Sequence, residues 1–282
     1  MPPTLARREG RRAWLREARQ RLENQRGANP KPVPQSRPKR LKEAKRRLEQ
    51  ELKVECQANA DYEAWRTRGI SADGHHRMAP GTVKPFTPPE FPEGKINTTD
   101  PDCRLLKARR GFVQGYNAQA VVNEHQIVIA AEIRTTAADF GHLEPMITAA
   151  RRELQAAGVT EEPQVVLADA GYWHQPQIER LVADGIQVLI RPDGDQRKGT
   201  RPGWNGGYYA FMRRVLETDL GGGLYRKRKT MIEPVFGHTK YNRRADRFQR
   251  RGRSAVRSEW RLLTATHNLM KLHALQTAPS AA

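Results

Sequence analysis

The chain has 282 residues, enough for one large domain or for a domain with an extension. Lys and Arg outnumber Asp and Glu by 50 to 31, and a protein with a net charge of +19 usually binds a polyanion, with nucleic acid as the first candidate. No apolar run approaches the length of a membrane-spanning helix, and the first residues lack the apolar segment of a signal peptide. We therefore expect a soluble, cytoplasmic protein with no membrane partner.

The two cysteines, Cys56 and Cys103, lie far apart and do not form a CxxC pair. This spacing supports neither a disulfide framework nor a zinc site. Any bound metal is therefore expected to be held by oxygen ligands.

Residues 1–68 predict a basic helical arm. Two helix-like segments, at about 4–25 and 38–65, are separated by the breaker-rich GANPKPVPQSRP. Leu41, Leu48 and Leu52 give the second segment only a thin apolar stripe. The arm is either a solvated helical hairpin or a direct DNA-binding element, and a proline-rich linker at 69–94 follows it.

Residues 95–275 have the pattern of an α/β domain. The runs YNAQAVVN and QIVIAAEIRT predict an antiparallel hairpin. A helix at about 139–157, a strand at 164–169, a helix at 174–184 and the strand IQVLIRP follow in order. This order predicts a mixed sheet flanked by helices, whose chemistry lies outside the carboxyl ends of the strands, and residues 276–282 are expected to be a disordered tail.

The stretch VVLADAGYW ends a buried strand on Asp169. A carboxylate in this position is costly to desolvate unless it accepts hydrogen bonds or binds a cation. Asp169 is therefore either a cap for the following turn, since Asp before Ala-Gly is ordinary turn chemistry, or a metal ligand.

The segment 225–253 is strongly basic and contains only two acids, of which Glu233 stands among apolar residues. On a helix, Glu233, Lys240 and Arg244 would share one face, because seven and eleven residues are close to two and three whole turns. Such a face can hold a metal ion through its carboxylate and a phosphate backbone through its cations. An ion-pair ladder on a solvated helix is the alternative.

Taken together, these segments resemble the DDE-type transposases of bacterial insertion sequences, a group with an RNase H-like catalytic core. The resemblance covers about residues 95–273, in order, and includes the hairpin, VVLADAGYW and KTMIEPVFGHTKYNRRADRFQRRGR. The Tyr-Arg-Glu-Lys signature of the family corresponds to Tyr225, Arg228, Glu233 and Lys240. Four residues separate Arg228 from Glu233, where three are usual in the family.

The resemblance implies an RNase H-like mixed sheet and a DNA transposase. Asp169 and Glu233 would be catalytic carboxylates and ligands of two Mg²⁺ ions, and the enzyme would cleave transposon ends and join the 3′-hydroxyls to target DNA. Duplex DNA is the implied partner, in a bacterial, nucleoid-associated setting that is compatible with a homodimer in a synaptic complex. The phosphates would be contacted by basic residues of one segment: Lys240, Arg243, Arg244, Arg247, Arg250 and Arg251.

The sequence does not identify the third catalytic carboxylate. The family places its first aspartate in an Asp-Gly-Thr motif ahead of the hairpin, and this motif does not occur in the sequence. Either the chain is a C-terminal portion of a transposase, or Asp100 or Asp102 serves as the first ligand, with a turn role for this Asp-Pro-Asp as the alternative. Three functions follow: an active transposase, an inactive DNA-binding remnant, or an RNase H-like nuclease that is not a transposase.

Overall fold

The computed structural model describes residues 11–28, 30–68, 87, 89–108, 111–193 and 206–277. The chain divides into two compact units, of which the first comprises Met1–Leu105 and Arg251–Ser254. The second comprises Leu106–Arg250 and Ala255–Ala282. Most of the linker predicted at 69–94, and residues 278–282 of the predicted tail, lie outside the described residues.

The first unit contains a pair of helices, α1 (Arg11–Ala28) and α2 (Arg37–Arg68), which confirms both predicted helices of the arm. The ring of Trp14 on α1 lies 6.1 Å from that of Tyr62 and 6.0 Å from that of Trp65, both on α2. Arg26 joins the helices near the other end of α1, where it donates to Glu51 at 2.8 Å. Aromatic packing and ion pairs therefore take the place of a wide apolar stripe.

The second unit holds most of the strands. β1 (Arg104–Ala108) and β2 (Gly111–Gly115) form a two-stranded sheet where the chain passes into this unit. β3 (Asn117–Val122) pairs antiparallel with β4 (Val128–Arg134), as predicted for the hairpin. β5 (Val165–Ala168) pairs parallel with β6 (Gln187–Ile190).

Five helices complete the described fold: α3 (Leu143–Ala156), α4 (Gln175–Ala183), α5 (Gly207–Glu217), α6 (Asp219–Gly237) and α7 (Arg253–Thr277). The α/β class is confirmed. The sequence predicted one mixed sheet, whereas the described strands form three separate two-stranded sheets, since β3 does not pair with β5. None of the described helices is long and apolar enough to cross a membrane.

Helices pack on both faces of the β3–β4 sheet. Val121 of β3 packs on one face against a cluster that includes Ala149 and Ala150 of α3. Alternate residues of β3 point the other way, and Ala118 and Ala120 pack in a cluster with Val235 of α6 and with α7. The indole N–H of Trp260 on α7 donates to the carbonyl of Gln119 at 2.9 Å, which fixes α7 against β3.

Glu132 of β4 is a buried carboxylate surrounded by arginines. It accepts hydrogen bonds from Arg257 at 2.6 Å and Arg261 at 2.9 Å, both on α7, and from Arg152 of α3 at 3.5 Å. Burial opposes its ionisation, but the hydrogen bonds and positive charges of Arg257 and Arg261 outweigh burial and lower its pKa. The β3–β4 sheet is thus joined to α7 by ion pairs as well as apolar packing.

Candidate active site

Asp169 lies directly after β5, at the carboxyl end of that strand. Its Oδ1 accepts a hydrogen bond of 2.9 Å from the backbone N–H of Gly171 and so caps the short 3-10 helix Ala170–Tyr172. The predicted cap is therefore confirmed. A carboxylate has lone pairs for several partners, so the cap is compatible with a bound cation.

A second aspartate, Asp139, lies beside Asp169 and was not among the carboxylates predicted from the sequence. It lies in the loop between β4 and α3, where its Oδ1 accepts hydrogen bonds from Asn117 at 2.9 Å and Gln119 at 2.8 Å. A Cβ placed on Gly171 would lie 3.2 Å from Asp139 Oδ2 and 3.0 Å from Asp169 Oδ1. The two oxygens are therefore no further apart than the sum of these distances.

Negative charge is concentrated at this pair. Burial raises the pKa of Asp139, and the nearby charge of Asp169 raises it further, although the hydrogen bonds from Asn117 and Gln119 act in the opposite direction. The pKa of Tyr172 is raised by burial first and then by the charges of both aspartates. A cation between the two carboxylates would relieve this repulsion.

Glu233 lies on α6. It is exposed, and it lines a cavity of about 1130 Å³ together with Asp139 and Asp169. We call this the β3–β5 cavity, because every residue of β3 and β5 lines it, along with parts of α3 and α6. The two carboxylates predicted from the sequence therefore line one cavity, and Lys240 and Arg228 of the predicted signature line it as well.

Pro234 follows Glu233 inside α6, more than a dozen residues after the helix begins at Asp219. Proline has no N–H to donate to the carbonyl four residues earlier, that of Thr230. This carbonyl instead accepts a hydrogen bond of 2.8 Å from the side chain of Gln126, in the turn between β3 and β4. The turn thus supports α6 one turn before Glu233.

The prediction that Glu233, Lys240 and Arg244 share one helical face is wrong for Arg244. α6 ends at Gly237, a π-helical turn spans His238–Asn242, and Arg244 has a left-handed φ of 53°. The wider π turn changes the phase of the side chains, so the 100° step no longer applies. Lys240 is exposed, with its Nζ 5.4 Å from the centre of the Phe236 ring.

The other cations predicted to bind DNA differ in their contacts. Arg243 donates to the carbonyl of Leu263 at 2.6 Å and to the hydroxyl of Thr266 at 2.5 Å, so its guanidinium is tied to α7. The remaining four are exposed: Arg244, Arg247, Arg250 and Arg251.

Asp100 and Asp102 lie in the first unit, whereas Asp169 and Glu233 lie in the second. Asp100 is buried and accepts hydrogen bonds from the backbone N–H groups of Asp102 at 3.1 Å and Gly252 at 3.0 Å. Asp102 accepts one from the N–H of Arg253 at 2.9 Å and pairs with Arg47. These bonds support the turn alternative, and a ligand role for Asp100 stays a prediction.

The donors at the carboxylate pair fit a hard divalent cation. Asp139 and Asp169 supply carboxylate oxygens, and the buried Gln119 Oε1 has no hydrogen-bond partner in the described part of the chain. No group of three or more His, Cys, Asp or Glu side chains among the described residues is arranged to hold a metal. The fit therefore rests on the pair, with Glu233 elsewhere on the cavity wall.

The chain matches a known protein family over most of its length. A family model described as "Transposase DDE domain" matches residues 81–269, which is more than half of the chain. No curated protein and no solved structure matches the chain significantly.

Proposed function

Because the chain belongs to the family of transposase DDE domains, we propose that it cleaves the ends of a transposon and joins the 3′-hydroxyls to target DNA. In both reactions water or a DNA hydroxyl attacks phosphorus, so the protein needs no nucleophilic side chain. The observation that carries the proposal is the presence of Asp139, Asp169 and Glu233 on the wall of one cavity.

Mg²⁺ is the proposed cofactor, with Asp169 and Glu233 as ligands. When bound, two ions would supply positive charge to the attacking and leaving oxygens. Asp139 is proposed as the third carboxylate in place of Asp100, because Asn117 and Gln119 hold its Oδ1 while its Oδ2 faces the side of Asp169.

An RNase H-like core is the proposed fold of the second unit. Its order of an antiparallel hairpin, a helix, a strand, a helix, a parallel strand and further helices supports this assignment. Asp169 directly follows β5, and Glu233 lies on α6. These positions match those of the catalytic carboxylates in the family that the sequence resembles.

Duplex DNA is the proposed partner. The exposed Lys240, Arg244, Arg247, Arg250 and Arg251 would contact phosphates without reading bases. Arg243 is left out of this set because its guanidinium is bound to α7. A homodimer that holds two DNA ends stays a prediction.

The test is nicking of supercoiled plasmid in Mg²⁺ by the full chain. Asp169→Asn, Glu233→Gln and Asp139→Asn should each lower the rate at least about 100-fold, a loss typical of groups that act on transition-state charge. Their affinity for DNA should equal or exceed that of the wild type, because each change removes a negative charge. Binding of Mn²⁺, measured by electron paramagnetic resonance, should weaken in the same variants.

Glu217→Gln is the matched control, because this exposed glutamate of α5 does not line the cavity. Asp100→Asn separates the two candidates for the first carboxylate: loss of nicking without loss of stability would assign the role to Asp100. Variants of Asp169 or Glu233 that lose DNA affinity and nicking in equal measure would contradict a ligand role. A joining assay with pre-cut 3′-hydroxyl ends distinguishes a transposase from a nuclease.

One observation favours a second candidate, a protein that binds DNA without cutting it. Two of the carboxylates predicted from the sequence already have hydrogen-bond partners. Asp100 accepts from a backbone N–H group, and Asp102 accepts from another and from Arg47. If Asp139 does not act as the third carboxylate, the site has two acidic ligands and holds Mg²⁺ weakly. The wild-type chain would then bind plasmid but not nick it.

A further inference from the structure

β3 and β5 are each paired along one side only in the described part of the chain. β3 bonds to β4 and β5 bonds to β6, and β3 and β5 do not bond to each other. Each strand therefore has a second edge of peptide groups. Such an edge is a template for pairing with another strand.

Both second edges border the β3–β5 cavity, which all residues of Asn117–Val122 and Val165–Ala168 line. Asn117, at the start of β3, bonds to Asp139, and Asp139 lies beside Asp169 at the end of β5. The two strands therefore run in opposite directions along the cavity. A strand between them would pair parallel with one and antiparallel with the other, and both patterns are allowed.

The remaining two sides of the cavity are apolar. α3 contributes Met146, Ile147 and Ala150, and α6 contributes Met231, Ile232 and Phe236. These helices pack on opposite faces of β3, since Val121 packs with the cluster of α3 while Ala118 and Ala120 pack with the cluster of α6. An occupant would thus bury side chains on both faces, as a central strand does.

The volume of the cavity matches a strand. A residue in a strand fills roughly 160 Å³, from a rise of about 3.3 Å, a strand spacing of about 4.8 Å and a layer spacing of about 10 Å. A cavity of about 1130 Å³ therefore accommodates about seven residues, close to the six residues of β3.

The acidic residues at one end of the cavity indicate the charge of the occupant. Glu124, Glu161 and Glu162 line the end at which β5 begins, and all three are exposed, but Glu162 already pairs with Arg151 at 2.7 Å. The opposite end carries the carboxylates Asp139 and Asp169. Basic residues and a positively charged amino end on the occupant would complement Glu124 and Glu161.

We infer that the β3–β5 cavity binds an extended peptide strand of another polypeptide, with basic residues at its amino end next to Glu124 and Glu161, followed by about seven apolar residues. This occupant hydrogen-bonds to both β3 and β5 and joins the two sheets into one. The inference does not depend on DNA cleavage, because it concerns the strand edges and the apolar walls.

The experiment uses the full chain and the peptide amide Lys-Arg-Lys-Val-Ala-Val-Leu-Val-Ala-Gly. Hydrogen–deuterium exchange should slow at least tenfold at 117–122 and at 165–168 when the peptide is present, with no change in α1 or α2. Unchanged exchange in either strand at saturating peptide would overturn the proposal.

Two N-methylated peptides locate the binding mode. Alternate N–H groups of a strand point to opposite edges, so methylation of the even or of the odd residues blocks one edge at a time. Both peptides should bind at least tenfold more weakly than the parent, because β3 and β5 are both engaged. Weakening by only one of them would show addition to a single outer edge, contrary to the proposal.

The charge requirement has its own control. Glu124→Gln with Glu161→Gln should weaken the peptide severalfold at low salt, whereas Glu179→Gln with Glu217→Gln, which removes the same charge elsewhere, should not. Equal effects of the two pairs would contradict the assigned orientation. A peptide-free dimer in sedimentation, with β3 and β5 already protected from exchange, would make a second copy the occupant and overturn the proposal.

Discussion

At the scale of single residues, acidic groups in this protein are distinguished by their partners. Glu132 faces three arginines, so its negative charge is neutralised within the fold. Asp139 instead receives neutral amide donors and faces another carboxylate. The first arrangement is suited to holding helices against a sheet, and the second is suited to binding a cation.

Replacing Glu132 by Gln should lower the free energy of unfolding by about 1 to 3 kcal/mol at pH 7, because the change removes the buried negative charge that pairs with three arginines. The pKa of Glu132 is lowered in the folded state, so its contribution is complete above the unfolded pKa and is lost as the pH falls through the folded value. The difference between wild type and variant should shrink below about pH 4.5. Urea unfolding at several pH values measures it, and a pH-independent difference would contradict the ion-pair role.

The residues of the candidate site could be predicted only in part. Asp169 and Glu233 are recognisable because each stands next to apolar residues in a basic chain. Asp139 could be suspected only from its position after a predicted strand, because the side chains that orient it are 22 and 20 positions away. A contact of this range depends on the register of the β3–β4 hairpin, which the sequence does not specify locally.

At the scale of elements, the carboxyl end of α6 departs from regular helix geometry in two ways. Pro234 removes one backbone donor, and the π-helical turn His238–Asn242 rotates the following residues. The hairpin and the order of helices and strands were predictable, because hydrophobic periodicity is local. The end of α6 was not, because the helix passes at Gly237 directly into the π-helical turn His238–Asn242, and the left-handed φ that follows lies at Arg244 rather than at a glycine.

Gln126→Ala should destabilise the protein by about 0.5 to 1.5 kcal/mol, because the carbonyl of Thr230 loses its donor. In a Pro234→Ala background the new N–H can bond to that carbonyl, so the same change should cost less than half as much. A double-mutant cycle by denaturant unfolding measures this coupling. Equal costs in the two backgrounds would show that Gln126 does not substitute for the missing helical donor.

At the scale of the whole molecule, the excess of positive charge is spread over both units. α2 presents exposed Lys39, Lys42 and Lys45, while Arg247 and Arg250 of the second unit and Arg251 of the first are also exposed. Both sets of residues are able to bind phosphates. The net charge of +19 alone does not indicate which set binds DNA.

Replacing Arg247, Arg250 and Arg251 together by Ala should weaken binding to all duplex sequences alike. The slope of log affinity against log salt should become shallower by roughly 0.9 for each phosphate contact removed. The triple change of Lys39, Lys42 and Lys45 to Ala removes the same charge and should leave the slope nearly unchanged. Fluorescence anisotropy at several salt concentrations compares them, and the reverse result would assign the DNA path to α2.

The bonds from Gly252 and Arg253 to Asp100 and Asp102 also bear on how the protein is made. A ribosome releases residues 11–105 long before residues 251–254, yet both stretches belong to the first unit. That unit therefore cannot complete its hydrogen bonding until nearly the whole chain has been synthesised, and closing so long a loop is slow. A nascent chain halted before Arg251 should consequently remain open to proteases around Asp100, which pulse proteolysis of stalled ribosome complexes can detect.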